Sequence, residues 1–204
     1  MSFLIGIFFT LAELFHSRNM QMKNGFLPLL IGFACSSFCP HSSNDFTIQS
    51  ANVAFISSAN FETIKGASTE VKGTVDIVKK TFSFTLPVCS FKGFINDSQK
   101  KHYCEKFVEG PKYPDTYFKG KIIEDVNLSV PGTYTVRGKG MLMLHGIEKE
   151  RIIDAKITVK DGQILIDSNF TIPVEDHGIK VSKMNSLAIA KIVNVAVKVV
   201  LKST

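Results

Sequence analysis

The fold is decided by residues 82–122, which read FSFTLPVCSFKGFINDSQKKHYCEKFVEGPKYPDTYFKGKI. Apolar and polar residues alternate at both ends of this stretch, with the period of two that is typical of β-strands. In between, Tyr103 and Phe107 are four residues apart, as on one face of a helix. One short helix at Asp97–Phe107 is therefore predicted to interrupt an otherwise all-β chain.

The alternating pattern continues on both sides of that interruption. In the last stretch every odd position from Val193 to Leu201 is apolar, whereas the even positions include Asn194, Lys198 and Lys202. Such a strand buries one face and exposes the other. Seven further stretches show the same pattern: Phe46–Ser57, Val71–Ile77, Phe82–Val88, Thr116–Asp125, Thr133–Leu144, Ile153–Val159 and Ile164–Val174. About eight strands predict a closed antiparallel barrel, whose lumen is either filled by side chains or holds one small ligand.

Glycines on the inward stripes favour the open lumen. Gly73 shares the parity of Val75, and Gly138 and Gly140 share that of Leu142. An inward glycine leaves space or bends the strand. We therefore expect these glycines to widen the lumen, and glycine kinks around a filled core are the alternative.

Three motifs in chain order identify a family resemblance. They are the strand-to-helix segment Phe91–Phe107 with His102, the turn Lys112-Tyr113-Pro114 leading to Phe118, and the hairpin entry GMLMLHG at 140–146. With these motifs, residues 45–203 resemble the YceI-like polyisoprenoid-binding family, bacterial envelope proteins with a lipocalin-like antiparallel barrel. Lys100-Lys101 and Val108 depart from the family, which often has Arg-Asp before the helix histidine and a second phenylalanine after the first.

The resemblance implies a lipid-binding protein without chemistry of its own. It would hold an isoprenoid or another long apolar chain in the barrel, as a carrier or a store. The inserted helix is expected to cover one barrel end, with Tyr103 and Phe107 turned inward. Combining the inward stripes with the family motifs predicts these ligand contacts: Phe55, Val75, Phe84, Leu86, His102, Tyr103, Phe107, Leu142, Leu144, Phe170, Ile172, Val195 and Val197.

Two other classes of function stay open at this stage. One is a non-enzymatic interaction module, a filled barrel that docks onto an envelope membrane protein. If Tyr103 and Phe107 lie on the surface, the helix does not cover the barrel unless these residues form a homodimer contact. The other is an enzyme acting on a lipid tail, with His102 or His177 as the base.

Motifs for catalysis, metals and nucleic acid are weak. Cys104 lies two residues from His102, a spacing that points side chains apart on a helix, so a zinc site is not expected. Glu175-Asp176-His177 is interpreted as a solvated turn. The net charge of +6 comes from scattered lysines, without the basic and aromatic modules that bind nucleic acid. We predict no catalytic residue, no metal and no cofactor.

Residues 1–44 are interpreted as a signal region preceding the barrel domain at 45–204. An apolar run, Gly25–Ala34, follows Lys23 and ends in small residues, as in a secretory signal. Translation is expected to start at Met20 or Met22, and one unusually long signal is the alternative. In both cases the product is expected to be periplasmic or secreted. A lipid anchor on Cys35 or Cys39 is the less favoured alternative. In an oxidising compartment Cys89 and Cys104 either pair or remain isolated thiols.

Overall fold

The computed structural model describes residues 45–59, 62–180 and 190–203. Its strands alternate between buried and exposed side chains, as the sequence pattern requires. The strands are β1 Asp45–Ser58, β2 Thr63–Ser68, β3 Lys72–Asp76, β4 Thr81–Pro87, β5 Asp115–Ile122, β6 Gly132–Leu144, β7 Ile147–Lys160, β8 Gln163–Pro173 and β9 Ile192–Ser203.

The strands form one closed antiparallel barrel. Each of β3 to β8 pairs with the next strand along the chain, and β9 returns to pair with β1, where Val53 lies opposite Val197. Both β2 and β3 pair with β1, along different parts of it. They therefore act as one interrupted strand, and the predicted all-β barrel of eight strands is confirmed.

Strand β2 was not predicted from the sequence, because its inward face is built from small residues. Ile64 is its one large buried side chain, and Gly66 and Ser68 are the other inward positions. A Cβ atom at Gly66 would lie 2.9 Å from the ring of Phe55 on β1. Glycine here makes room for that ring, so the alternating pattern disappears from the sequence although the strand forms.

The helical excursion lies between β4 and β5, in residues 88–114, which we call the insert. After a short 3₁₀ turn at Val88–Ser90, an α-helix, α1, spans Asp97–His102 and continues as a π-helical turn at Tyr103–Phe107. The Asn96 side chain caps α1 by accepting a hydrogen bond from the backbone N–H of Gln99 at 2.8 Å. The single inserted helix at Asp97–Phe107 is confirmed.

A disulfide and a backbone hydrogen bond within the insert hold its segments together. Cys89 and Cys104 are bonded, with a Cα–Cα separation of 5.2 Å, which is ordinary for a disulfide. The backbone N–H of Val88 donates to the carbonyl of Pro114 at 2.8 Å and so joins the two ends of the insert. The sequence left the state of these two thiols open, and the structure pairs them.

We call the barrel end that carries the insert the mouth, and the opposite end the base. The loop between β5 and β6 lies at the base, where Leu128 is 1 % exposed. It packs in a cluster of inward side chains from several strands, including Val75, Val136, Ile164 and Leu201. The base is therefore filled by side chains, as the core of a small barrel usually is.

The inward glycines do not widen the lumen as expected. A Cβ atom would lie 2.2 Å from the carbonyl oxygen of Ser83 at Gly73, and 2.3 Å from that of Lys119 at Gly140. These two glycines let neighbouring strands approach closely, which corrects the expectation. Gly138 does lie on the lumen wall, but a Cβ there would stand 3.1 Å from the ring of Phe82, which already fills that space.

The signal region and its start site fall outside the described residues, as do Cys35 and Cys39. Within the described part of the chain, none of the helices combines the length and the apolarity needed to span a bilayer.

A candidate binding cavity inside the barrel

A cavity of about 280 Å³ lies inside the barrel. All of the ligand contacts predicted from the sequence, except His102, line this cavity. They come from separate strands and from the insert, and closure of the barrel brings them together. His102 ends α1, is exposed, and packs its ring against Phe107 at a centroid distance of 5.0 Å.

The predicted ligand contacts omit several wall residues that lie on inward stripes of the strands. Phe118, Ile153 and Ala155 lie on inward positions of β5 and β7 and line the cavity. Phe91 and Val108 flank the helix of the insert, where no period was available to indicate their direction.

The described part of the cavity wall is almost entirely apolar. It contains no lysine, arginine, histidine, aspartate or glutamate. Its polar members are hydroxyl residues: Ser57, Thr85, Tyr103, Thr116, Tyr117 and Ser168. A wall of this kind favours an apolar ligand and disfavours a charge, which would have no countercharge within it.

Aromatic side chains gather where the insert meets the barrel. The Tyr103 ring stacks on Phe55 of β1 at 5.3 Å between centroids, and Phe91 and Phe94 lie within 6.0 Å and 5.1 Å of the Tyr103 ring. Burial among these rings raises the pKa of the Tyr103 hydroxyl above its usual value. Tyr103 is therefore a neutral phenol at physiological pH.

The helix of the insert turns its apolar side toward the cavity. Tyr103 and Phe107 both line the cavity, whereas Lys101, Glu105 and Lys106 are exposed. This is the orientation expected of a cover over the mouth. That the helix acts as a lid or plug at this barrel end remains a prediction.

The half-buried His145 and the buried His177 join elements beside the mouth. The Nδ1–H of His145, in the turn between β6 and β7, donates to the carbonyl of His177 at 3.1 Å. The Nδ1–H of His177, in the 3₁₀ turn after β8, donates to the carbonyl of Ile147 at 3.0 Å. Neither histidine lines the cavity. Both side chains serve to tie the β6–β7 turn to the segment after β8.

The predicted turn at Glu175-Asp176-His177 is only partly solvated. Glu175 and Asp176 are exposed, and Asp176 lies 3.4 Å from the Arg151 guanidinium. His177 turns inward and has 0 % exposure. Across the described residues, no group of three or more histidine, cysteine, aspartate or glutamate side chains could hold a metal ion.

Burial of His177 predicts a pH-dependent stability. Desolvation lowers its pKa below the usual 6.5, outweighing the hydrogen bond to Ile147. The unfolded chain therefore binds a proton at a higher pH than the folded chain does, and stability is lost as the pH falls below about 6.5. We expect the parent to lose more unfolding free energy than His177→Asn between pH 7 and pH 5.5, measured by urea unfolding. Equal losses in the two proteins would contradict this assignment.

Comparison with known proteins places this barrel in a family. The profile of the YceI-like domain matches residues 41–201. Among solved structures, a polyisoprenoid binding domain from Saccharophagus degradans is 14% identical, with 78% of this chain and 98% of that chain covered and a TM-score of 0.66. Burkholderia cenocepacia BcnA is 14% identical, with 74% and 95% covered and a TM-score of 0.61.

A mutant of the Campylobacter jejuni YCEI protein is 22% identical, with 67% of this chain and 83% of that chain covered and a TM-score of 0.55. At these sequence identities the likeness to the solved structures shows a shared fold only. No match was found among curated proteins. The profile match covers most of the chain and agrees with the barrel and its insert. The chain therefore belongs to the YceI-like domain family.

Proposed function

We propose that this protein binds an isoprenoid or another long apolar chain inside the barrel, as an exported carrier or store. The observation that carries the proposal is the cavity, which is lined by inward apolar side chains of the strands and by Tyr103 and Phe107 of the insert. The Saccharophagus degradans relative with the same fold is described as a polyisoprenoid binding domain, which supports the same class of ligand here.

Barrel dimensions and burial energy fit a long tail. A strand of 14 residues such as β7 extends for ~46 Å at about 3.3 Å per residue, and a tilt near 40° leaves a barrel height of ~35 Å, of which the part above the filled base is open to a tail. Burying ~600 Å² of tail would contribute ~15 kcal/mol at about 25 cal/mol/Å², much of it offset by lost motion of the tail. Affinity would then depend mainly on how much of the tail the wall can cover.

The other two classes of function receive less support. A filled barrel acting as a docking module is disfavoured by the cavity, although docking onto an envelope protein and a homodimer both stay predictions. A base in contact with the tail would have to line the cavity, and neither His102 nor His177 does. We therefore propose binding without catalysis. Export to the periplasm or the medium is supported by the signal-like run before residue 45.

The proposal is tested by filling the lumen without changing its polarity. Ala155 is partly buried on the cavity wall, and Ala155→Phe places a ring in the space that a tail would occupy. We expect it to lower the affinity for an all-trans C20 prenyl alcohol at least about tenfold. Native mass spectrometry of the full chain, prepared without detergent, measures the bound fraction.

Ser83→Phe is the matched control, because Ser83 is exposed on β4 and does not line the cavity. It adds the same ring outside the barrel, and we expect the affinity of the parent. If the parent takes up no alcohol, or if a folded Ala155→Phe variant takes up as much as the parent, the ligand does not occupy this lumen.

A further inference from the structure

We infer that the tail enters and leaves the cavity sideways, through a seam in the barrel wall between β7 and β8, and that Arg151 holds this seam shut. The inference rests on the proposed function and adds the route by which the ligand is exchanged. Three observations carry it: the pairing of these two strands ends early, side chains replace that pairing, and cavity residues lie on both edges of the gap.

Strands β7 and β8 are paired only in the half of the barrel next to the base. Their pairing stops at Lys156 and Asp167. Toward the mouth, within the described residues, 147–155 of β7 pair with β6 alone and 168–173 of β8 pair with β9 alone. We call these two edges the seam. Strands β8 and β9, by contrast, stay paired up to the last residue of β8.

Side chains take the place of backbone pairing along the seam. The Arg151 guanidinium donates to the carbonyl of Thr171 at 2.7 Å, and the Ser168 hydroxyl donates to the carbonyl of Asp154 at 2.6 Å. At the mouth, His177 donates to a carbonyl of β7 in the same way. In a continuous sheet the next strand would supply a backbone N–H to such carbonyls. The seam is therefore held by side chains that can rotate.

The seam borders the cavity directly. Ile153 and Ala155 line the cavity from the β7 edge, and Phe170 and Ile172 line it from the β8 edge. Arg151 bridges the middle of the seam, is 25 % exposed and does not itself line the cavity. When its guanidinium turns into solvent, only apolar side chains join the two edges between the bridges at the ends of the seam. An apolar tail can replace such contacts as it passes.

The mouth is tied more strongly than the seam. Ala67 of β2 and Lys92 of the insert exchange two backbone hydrogen bonds of 2.8 Å, and the disulfide joins the start of the insert to its helix. Lifting the insert off β2 would break these backbone bonds, whereas opening the middle of the seam breaks the polar contacts of one side chain. We therefore expect the insert to stay closed while the ligand is exchanged.

The test measures how fast the bound ligand is replaced. The full chain is loaded with deuterated all-trans C20 prenyl alcohol, unlabelled alcohol is added, and native mass spectrometry follows the exchange. Arg151→Met keeps an apolar stem but removes the hydrogen bond to Thr171, and we expect exchange about three- to tenfold faster than in the parent. The Kd should stay unchanged, because a wider route accelerates uptake and release equally.

Arg137→Met is the matched control. Arg137 pairs with Glu124 on the outer face of the barrel and does not line the cavity, so exchange should occur at the rate of the parent. Exchange at the parent rate in Arg151→Met would overturn the inference. Faster release with a weaker Kd would also overturn it, because Arg151 would then act on the cavity. If dithiothreitol accelerates exchange in the parent and Arg151→Met does not, the route lies under the insert.

Hydrogen exchange without ligand separates this inference from the proposed function. Backbone amides in 147–155 and 168–173 should exchange faster in Arg151→Met than in the parent, whereas those in 156–160 should be unchanged. Equal exchange in the two proteins would show that Arg151 does not hold the seam, even where the alcohol binds. If the parent takes up no alcohol, the proposed function fails, and this measurement still decides whether the seam opens.

Discussion

Replacing Phe170 with glutamate is expected to abolish uptake of the C20 prenyl alcohol by a barrel that still folds. Phe170 lines the cavity from β8 and packs against a buried cluster that contains Phe55 and Val195. In the empty barrel, water in the cavity can hydrate a carboxylate. Tail entry would remove that water, and an uncompensated charge against hydrocarbon costs several kcal/mol, so affinity should fall by about a hundredfold or more.

Thr171→Glu is the matched control for this charge. Thr171 is the next residue of β8, is exposed, and its carbonyl accepts a hydrogen bond from Arg151. A glutamate there stays in water near a cation, and we expect both uptake and stability close to those of the parent. Circular dichroism checks the fold, and native mass spectrometry measures uptake. A folded Phe170→Glu variant that binds like Thr171→Glu would show that the tail does not reach this part of the wall.

Loss of the disulfide is expected to cause the largest change in stability. The bond closes a loop with a sequence separation of 15 between Cys89 and Cys104, and a loop of about 15 residues gives ~3 kcal/mol in the chain-entropy account. For a domain of this size, the double variant Cys89→Ser, Cys104→Ser should melt about 6 to 12 °C lower than the parent. Differential scanning calorimetry at pH 7 measures the shift.

The local effect of that variant should be concentrated in the insert. Cys104 is adjacent to Tyr103, and the disulfide packs against Gly110, where a Cβ atom would lie 2.2 Å from the Cys89 sulfur. Hydrogen exchange should therefore increase in residues 91–108 before it increases in the strands. Adding dithiothreitol to the parent should reproduce the melting temperature of the variant, and adding it to the variant should change nothing. A variant as stable as the parent would mean that packing alone holds the insert.

Large apolar side chains at alternate positions made the barrel predictable. In β9 the inward residues Val195, Val199 and Leu201 are all large, and the outward ones include Lys198 and Lys202. Such a stripe specifies both the strand and the face that enters the lumen. For this reason the sequence predicted most of the wall, together with the helix that interrupts the pattern.

The features that the sequence did not predict depend on contacts between residues that are far apart in the chain. The sequence of β2 lacks the alternating apolar pattern because Gly66 makes room for the ring of Phe55, which lies on another strand. Gly140 has the inward parity of a lumen residue, but its close contact is with the backbone of β5. In the sequence His177 lies between Asp176 and Gly178, and neither residue indicates burial. The buried His177 side chain contacts a carbonyl of β7. Contacts of this kind have no local period, so only the folded chain reveals them.

Pairing of β1 with β9 also determines when the barrel can be completed. These strands lie at opposite ends of the described domain, yet Phe55 faces Val195 across the closing seam. Such a non-local contact gives a high contact order and slow folding. During synthesis β1 can pair early with β2 and β3, but it lacks β9 until that strand has been made, so the barrel stays open until then. A chain that must pass through a narrow translocation channel before it folds would benefit from that delay.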